Sequence, residues 1–306
     1  MKLLHASLSG LSGLPDISLD LSDPQTGGAR DLFVVAGPPG SGKTRVLEAI
    51  LAAKEAASPY GMLTRIDEWI AEGADEASIV LELALDADEQ TETESEEPVA
   101  KLRATFTRSG GADVEVEAGL VELLGRYEHD ARSAKVEYLP ANRALPPPGA
   151  AHGLSAVEQR FLRLCRDADK YSFVPRFLVH AANDERARTR LEDGLAALAP
   201  DLRFVVDPAD PLKCLSYKGA GAMLPSQLGD TACDALLVAA TSALVHYDRS
   251  IVLLDRPEAS WDERNIGGYL RGLRALVPNG QLIVATNSPA LRAGVEGRAI
   301  FTLGTA

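Results

Sequence analysis

An α/β fold, with a twisted sheet, an N-terminal antiparallel β-lobe and a helical lobe, is what this 306-residue sequence predicts. Three observations point there. A short apolar strand, Asp31 to Ala36, runs into a glycine-rich turn, and helical periodicity follows from Thr44 onward. A second apolar strand, Ser250 to Asp255, ends in a carboxylate. Ahead of the first strand and after its helix, alternating apolar and polar residues read as half-buried strands.

Taken in order, residues 2 to 21 alternate in a strand-like way, most clearly at Ile17, Leu19 and Leu21. Residues 60 to 140 are mainly strand-like, with Ile79, Leu81, Leu83 and Leu85 set against polar neighbours. The acidic run Asp86 to Glu97 has no apolar anchor and reads as a solvated or disordered hairpin tip, the alternative being a docking surface for a basic partner. Lys135 to Leu139 is a short strand, and Pro146-Pro147-Pro148-Gly149 marks a hinge or boundary. Ser155 and Glu158 form a capping-box start for helical patterning that continues to about residue 199. Arg160, Arg163, Arg166 and Lys170 fall loosely along one face of it, with Arg186, Arg188 and Arg190 further on. Such a stripe could meet phosphates or an acidic partner, but a solvated face interleaved with Asp167, Asp169, Asp184 and Glu185 is the favoured reading. Strand returns from Leu202, followed by a long helix over about 231 to 248 and apolar strands at 250 to 255 and 281 to 286.

A hydrophobic fraction of 46% and a charged fraction of 25% are those of a soluble globular protein. No apolar run approaches the roughly 20 residues that span a bilayer, and the N-terminus is broken too early for a signal peptide. Cys165, Cys214 and Cys233 are too few and too scattered for a disulfide framework or a zinc site. A cytoplasmic location follows as an expectation. The net charge of −13 disfavours non-specific binding of nucleic acid by the chain as a whole.

Residues 37 to 44, Gly-Pro-Pro-Gly-Ser-Gly-Lys-Thr, match the phosphate-cradling pattern G-x-x-x-x-G-K-S/T at every fixed position. Gly37, Gly40 and Gly42 let backbone N–H groups curl around an anion, with Pro38 and Ser41 completing the loop. Lys43 would reach the β- and γ-phosphates of a nucleoside triphosphate, and the Thr44 hydroxyl would bind Mg²⁺. The same ion needs a carboxylate at the end of a second apolar strand, and Asp255 supplies one.

With these motifs in place, the chain resembles a compact ABC-type ATPase head of the bacterial RecF/OLD-like branch, related to the heads of SMC proteins. Leu224 to Thr231 (LPSQLGDT) is similar to that family's signature, which reads like LPLSQLSDGE, through Gln227, Gly229, Asp230 and Thr231. Asp255-Arg-Pro-Glu258 resembles its DEPE, Ala285 to Pro289 (ATNSP) its TTHSP, and Tyr138 to Arg143 (YLPANR) a further recurring element. The resemblance covers almost the whole chain. It implies a single head over 1–306: an N-terminal β-lobe and P-loop half over 1–149, a helical lobe over 150–200, and a C-terminal half over 201–306.

The departures bear on catalysis. Arg256 stands where the family has the glutamate that polarises the attacking water, and Asn287 where it has the switch histidine. Gly229 and Thr231 align with the signature serine and glycine. A guanidinium keeps its proton and cannot act as a general base. Glu258 is the candidate relocated base, or else a surface carboxylate or helix cap; Asn287 either donates to a γ-phosphate oxygen or only ends a strand. The expectation is an ATP-binding head with slow or absent hydrolysis that controls assembly, in a DNA-maintenance or anti-phage complex. A protein partner in a hetero-complex is favoured over a tight homodimer, with DNA reached through that partner or the helical lobe, and no membrane. An active ATPase motor using Glu258 is the competing reading. A P-loop GTPase or small-molecule kinase is weaker, because Asp255 to Glu258 lacks the D-x-x-G glycine and Ala285 to Ser288 the guanine-reading N-K-x-D.

Overall fold

The computed structural model describes residues 1–61, 66–146, 152–206, 213–217 and 220–304. In chain order these form β1 (Lys2–Ser9), β2 (Ile17–Asp20), β3 (Leu32–Ala36), α1 (Lys43–Ala57), β4 (Glu76–Ala84), α2 (Ala87–Thr93), β5 (Val99–Thr107), β6 (Ala112–Val116), α3 (Ala118–Leu124) and β7 (Val136–Leu139). The second half adds α4 (Ala156–Gln159), α5 (Val174–Asn183), α6 (Glu185–Leu198), β8 (Leu202–Phe204), β9 (Leu215–Tyr217), α7 (Asp230–Val245), β10 (Ile251–Asp255), α8 (Ile266–Ala275), β11 (Gln281–Thr286), α9 (Pro289–Ala293) and β12 (Ile300–Thr302).

Two five-stranded sheets carry the architecture. The first, β2-β1-β4-β5-β6, is antiparallel throughout. In β4 the alternation is literal: Ala77, Ile79, Leu81 and Leu83 are buried while their neighbours are partly exposed, as expected of a sheet with one face on the core. The second sheet, β12-β3-β11-β10-β7, is parallel throughout. Its central strands are buried end to end, Ile251 to Asp255 and Gln281 to Thr286, because both faces are covered.

Helix α1 lies between the sheets. Its run of Ala, Leu and Glu has high helix propensity, and Val46, Leu47, Ala49, Ile50, Leu51 and Ala53 are buried on successive sides, so one apolar cluster joins both sheets through it. The other face of the parallel sheet (Val34, Val252, Leu254, Leu282, Val284) packs with α5, α6, α7 and α8. The apolar α7 is inserted so deeply that Ala232 to Thr241 are all buried. The layers are therefore antiparallel sheet, helix, parallel sheet and helices.

Several sequence expectations change. The Asp86–Glu97 run does connect two antiparallel strands, but it is not merely a solvated tip. Asp86 and Glu89 form a capping box that starts α2; Glu89 is buried with its carboxylate 2.5 Å from the Met1 nitrogen, and Asp86 pairs with Arg249. Local side-chain-to-amide bonds and two cations offset the desolvation of these acids. The 60–140 region is interrupted by α3, whose Leu120, Leu123 and Leu124 face the core. The basic stripe is solvated only in part: Arg166, Arg186 and Arg190 are exposed, but two of its cations are not. Arg163 and Lys170 turn inward onto Glu137, an acid in the middle of the buried β7. Arg166 pairs with Glu48 at 2.9 Å, and Arg160 donates to the Pro59 carbonyl. A buried carboxylate needs such partners, and Glu137 takes two of the four. Of the proline-rich stretch, residues 147–149 lie outside the described residues.

Candidate nucleotide site

Strand β3 delivers the chain into the loop at residues 37–42, and α1 begins immediately after it. Gly42 has φ of +89°, and a Cβ there would come within 2.5 Å of the Leu14 side chain, so glycine is required on both counts. At Gly37 a Cβ would approach Ser41 Oγ at 2.5 Å and the Leu303 carbonyl at 2.8 Å. The loop is thus pinned between the β1–β2 connection and the end of β12. No side chain caps the N-terminus of α1 and no acid occupies its first turn, so its amides face outward as anion donors.

Lys43 is 6% exposed and donates to the Pro38 carbonyl at 2.6 Å and Ser41 Oγ at 3.4 Å. Burial holds its ammonium below the usual lysine range, Glu258 and Asp255 work against that shift, and Arg256 adds to it. Thr44 Oγ1 donates to both oxygens of Asp255, at 3.1 and 2.9 Å. Sheet register explains the meeting: β11 pairs with β3 on one side and β10 on the other, so the P-loop and Asp255 emerge from the same sheet edge with one strand between them. Burial raises the Asp255 carboxyl, partly opposed by the Thr44 hydrogen bond. A hydroxyl and a carboxylate are hard oxygen donors, the set Mg²⁺ takes when phosphates complete its shell. Among the described residues there is no cluster of three or more His, Cys, Asp or Glu that could hold a metal.

A cavity of about 350 Å³ opens here, lined by Lys43, Thr44, Glu48, Arg256, Glu258 and Asn287 together with P-loop residues. Arg256 and Asn287, two of the positions that depart from the resembled motifs, thus converge on the P-loop, with Glu258 beside them. Arg256 has φ of +46°, rare for a non-glycine residue, and its side chain is exposed toward the cavity. Glu258 accepts from Thr286 Oγ1 at 2.7 Å and from the Asn287 amide at 3.0 Å. The signature-like segment does not line this cavity. Gly229, Asp230 and Thr231 are exposed at the start of α7, Thr231 Oγ1 donates to the Ser260 carbonyl at 2.6 Å, and Gln227 caps its own turn through the Leu224 amide at 2.8 Å.

The sequence places Arg143 within a motif without giving it a role, and it does not single out Asp234. Arg143 is buried; it pairs with Asp234 and donates to the carbonyls of Asp255 at 2.7 Å and Arg256 at 3.5 Å. Trp261 Nε1 donates to the other Asp234 oxygen. The available signal was an aspartate set among Ala232, Cys233, Ala235 and Leu236 in an otherwise apolar helix.

No protein-family model matches the chain, and no curated protein matches it. Solved structures do. The chain is similar to an SMC head bound to the C-terminal winged-helix domain of ScpA, with a TM-score of 0.63 and 16% identity over 96% of this chain and 92% of that one. It is similar to the SMC head domain from Thermotoga maritima (TM-score 0.53, 14% identity, 99% and 94% covered). A third neighbour is an SMC head with an extended coiled coil bound to the C-terminal domain of ScpA, from Pyrococcus furiosus (0.59, 13%, 96% and 92%). The fold is that of a P-loop NTPase of the ABC/SMC-head type. No helix among the described residues is long and apolar enough to cross a membrane.

Proposed function

We propose that this chain binds Mg²⁺ and ATP as an ABC-type head, hydrolyses it slowly or not at all, and uses the bound nucleotide to control assembly. The carrying observation is the cavity in which an intact P-loop faces Arg256 where a water-activating acid would stand. General-base and electrostatic contributions are each worth about 10²–10⁴ in rate. Arg256 supplies no base, so the chemical step is starved while the phosphate seat is complete. Thr44 and Asp255 would hold the ion, which would neutralise phosphate charge; Lys43 and the α1 amides would bind and orient the phosphates.

The motor reading retains one observation in its favour, since the Glu258 carboxylate also lines the cavity. Both its oxygens already hold donors from the end of β11, which favours a positioning role. Steady-state phosphate release separates the readings. Wild-type turnover on the order of 1–10³ s⁻¹ overturns the slow-site proposal, while a rise in Arg256→Glu supports it.

Two of the similar structures contain a second protein, ScpA. A protein partner for this chain fits that pattern and the exposed signature-like segment. The RecF/OLD-like branch, with a DNA-maintenance or anti-phage role, remains our contextual assignment on the motifs at Leu224–Thr231, Asp255–Glu258 and Ala285–Pro289. The division into 1–149, 150–200 and 201–306 is offered on the same basis.

A further inference from the structure

Arg256 holds a backbone conformation that disfavours a side chain, and its surroundings hold it there from three sides. Its amide donates to the Ala285 carbonyl at 2.8 Å. Its own carbonyl and that of Asp255 receive the Arg143 guanidinium, itself fixed by the buried Asp234. Two residues on, Glu258 is tied to Thr286 and Asn287. A left-handed residue so thoroughly constrained points to a requirement on where its side chain goes. That side chain lines the P-loop cavity beside Lys43 and Thr44, and among the described residues its guanidinium has neither a hydrogen bond nor an ion pair. Lys43, by contrast, is already bonded to the loop's own Pro38 and Ser41.

We propose that Arg256 is a γ-phosphate reader supplied by the chain itself, so that the site retains nucleoside triphosphates in preference to diphosphates. The claim rests on the P-loop reading above and deepens it. In a P-loop site the loop amides cradle the inner phosphates, and here Thr44 and Asp255 would hold a metal that neutralises phosphate charge. Arg256 directly follows that carboxylate and lines the cavity into which the P-loop opens, where the terminal phosphate, the group a diphosphate lacks, would lie. A guanidinium presents a planar fork of donors that matches phosphate oxygens, and it cannot take a proton from water. The substitution that removes the base therefore adds a tether for the unhydrolysed ligand, and the triphosphate state becomes long-lived.

The test is calorimetric titration of the whole chain, in Mg²⁺, with ADP and with β,γ-imido-ATP, a triphosphate that cannot be turned over. Arg256→Gly deletes the guanidinium while suiting the left-handed backbone, so the fold is retained or stabilised. Its affinity for the triphosphate should fall about 10- to 100-fold, the range of a lost charge-assisted hydrogen bond. Affinity for ADP should stay within about threefold. Arg256→Lys, which keeps the charge and loses the fork, should fall between Arg256→Gly and wild type. Equal losses for both ligands, or no loss for the triphosphate, overturn the proposal. Wild-type chain that binds neither nucleotide overturns the P-loop reading itself, an outcome distinct from binding both without discrimination.

Discussion

Thr286 donates its hydroxyl to Glu258 Oε2 at 2.7 Å, closing the turn after β10 onto the end of β11. The neighbouring Asn287 amide holds the other carboxylate oxygen at 3.0 Å. Glu258 therefore fixes the spacing between the strand end that carries Asp255 and the segment that carries Asn287. Glu258→Ala leaves a hydroxyl and an amide without their acceptor and should cost about 1–3 kcal/mol, read as a lower denaturant midpoint. Glu258→Gln should leave phosphate release within a few-fold of wild type. A fall of about 10²-fold or more would restore Glu258 as the base.

Lys43→Ala should abolish measurable ATP binding while the chain stays folded. Among the described residues its ammonium hydrogen-bonds to loop atoms, Pro38 O and Ser41 Oγ, and not to the core. Calorimetry for binding and circular dichroism for fold are the paired measurements. Unchanged ATP affinity in a folded variant removes the site assignment.

Arg143 and Asp234 form a fully buried ion pair that ties the signature-like helix α7 to the turn carrying Arg256. Removing one member strands the other charge inside the protein, at about 3–5 kcal/mol. Arg143→Met should therefore lower unfolding stability by that order, and Arg143→Met with Asp234→Leu should recover part of the loss, since an apolar pair needs no hydrogen-bond partners. A double variant whose loss equals the sum of the separate Arg143→Met and Asp234→Leu losses in denaturant titrations would show that the pair is not coupled.

What the sequence displayed and what it hid follow from the range of the interactions. The P-loop is legible in eight residues because its constraints are local: φ at Gly42, a lysine beside it, a hydroxyl next. Strand β4 shows in its alternation, and β10 in its unbroken apolar run. The Arg143–Asp234 pair joins positions 91 apart and leaves no local trace beyond one aspartate in an apolar helix. The inward turn of Arg163 and Lys170 was hidden for the same reason, although Glu137 within a buried strand was a signal that cations must come to it. The capping box Asp86–Glu89 was local and readable, but the density of charge around it masked the pattern.

Assembly is the remaining consequence. On the proposed reading as an ABC-type head, the nucleotide would be sandwiched between one subunit's P-loop and another's signature, and a complete site would need two chains. Here the signature-like residues Gly229, Asp230 and Thr231 are exposed and away from the chain's own P-loop cavity, a placement that leaves them free for a second molecule. Their chemistry is poorly suited to gripping a γ-phosphate, because Gly229 offers no hydroxyl and Thr231 already donates its proton to the Ser260 carbonyl at 2.6 Å. Missing contacts weaken closure, and a nucleotide can shift an equilibrium only by the contacts it makes in the closed state. A symmetric homodimer would lack the same contacts twice, whereas a partner with an intact signature could complete the site built on Lys43, Thr44 and Asp255. Purified chain should thus stay at monomer mass by light scattering with and without ATP and Mg²⁺. Gly229→Ser combined with Thr231→Gly, which places a hydroxyl and a glycine as in the signature this segment resembles, should move it toward an ATP-dependent dimer. A clean ATP-dependent shift of the wild-type chain to a homodimer would overturn the hetero-complex and restore the ordinary sandwich.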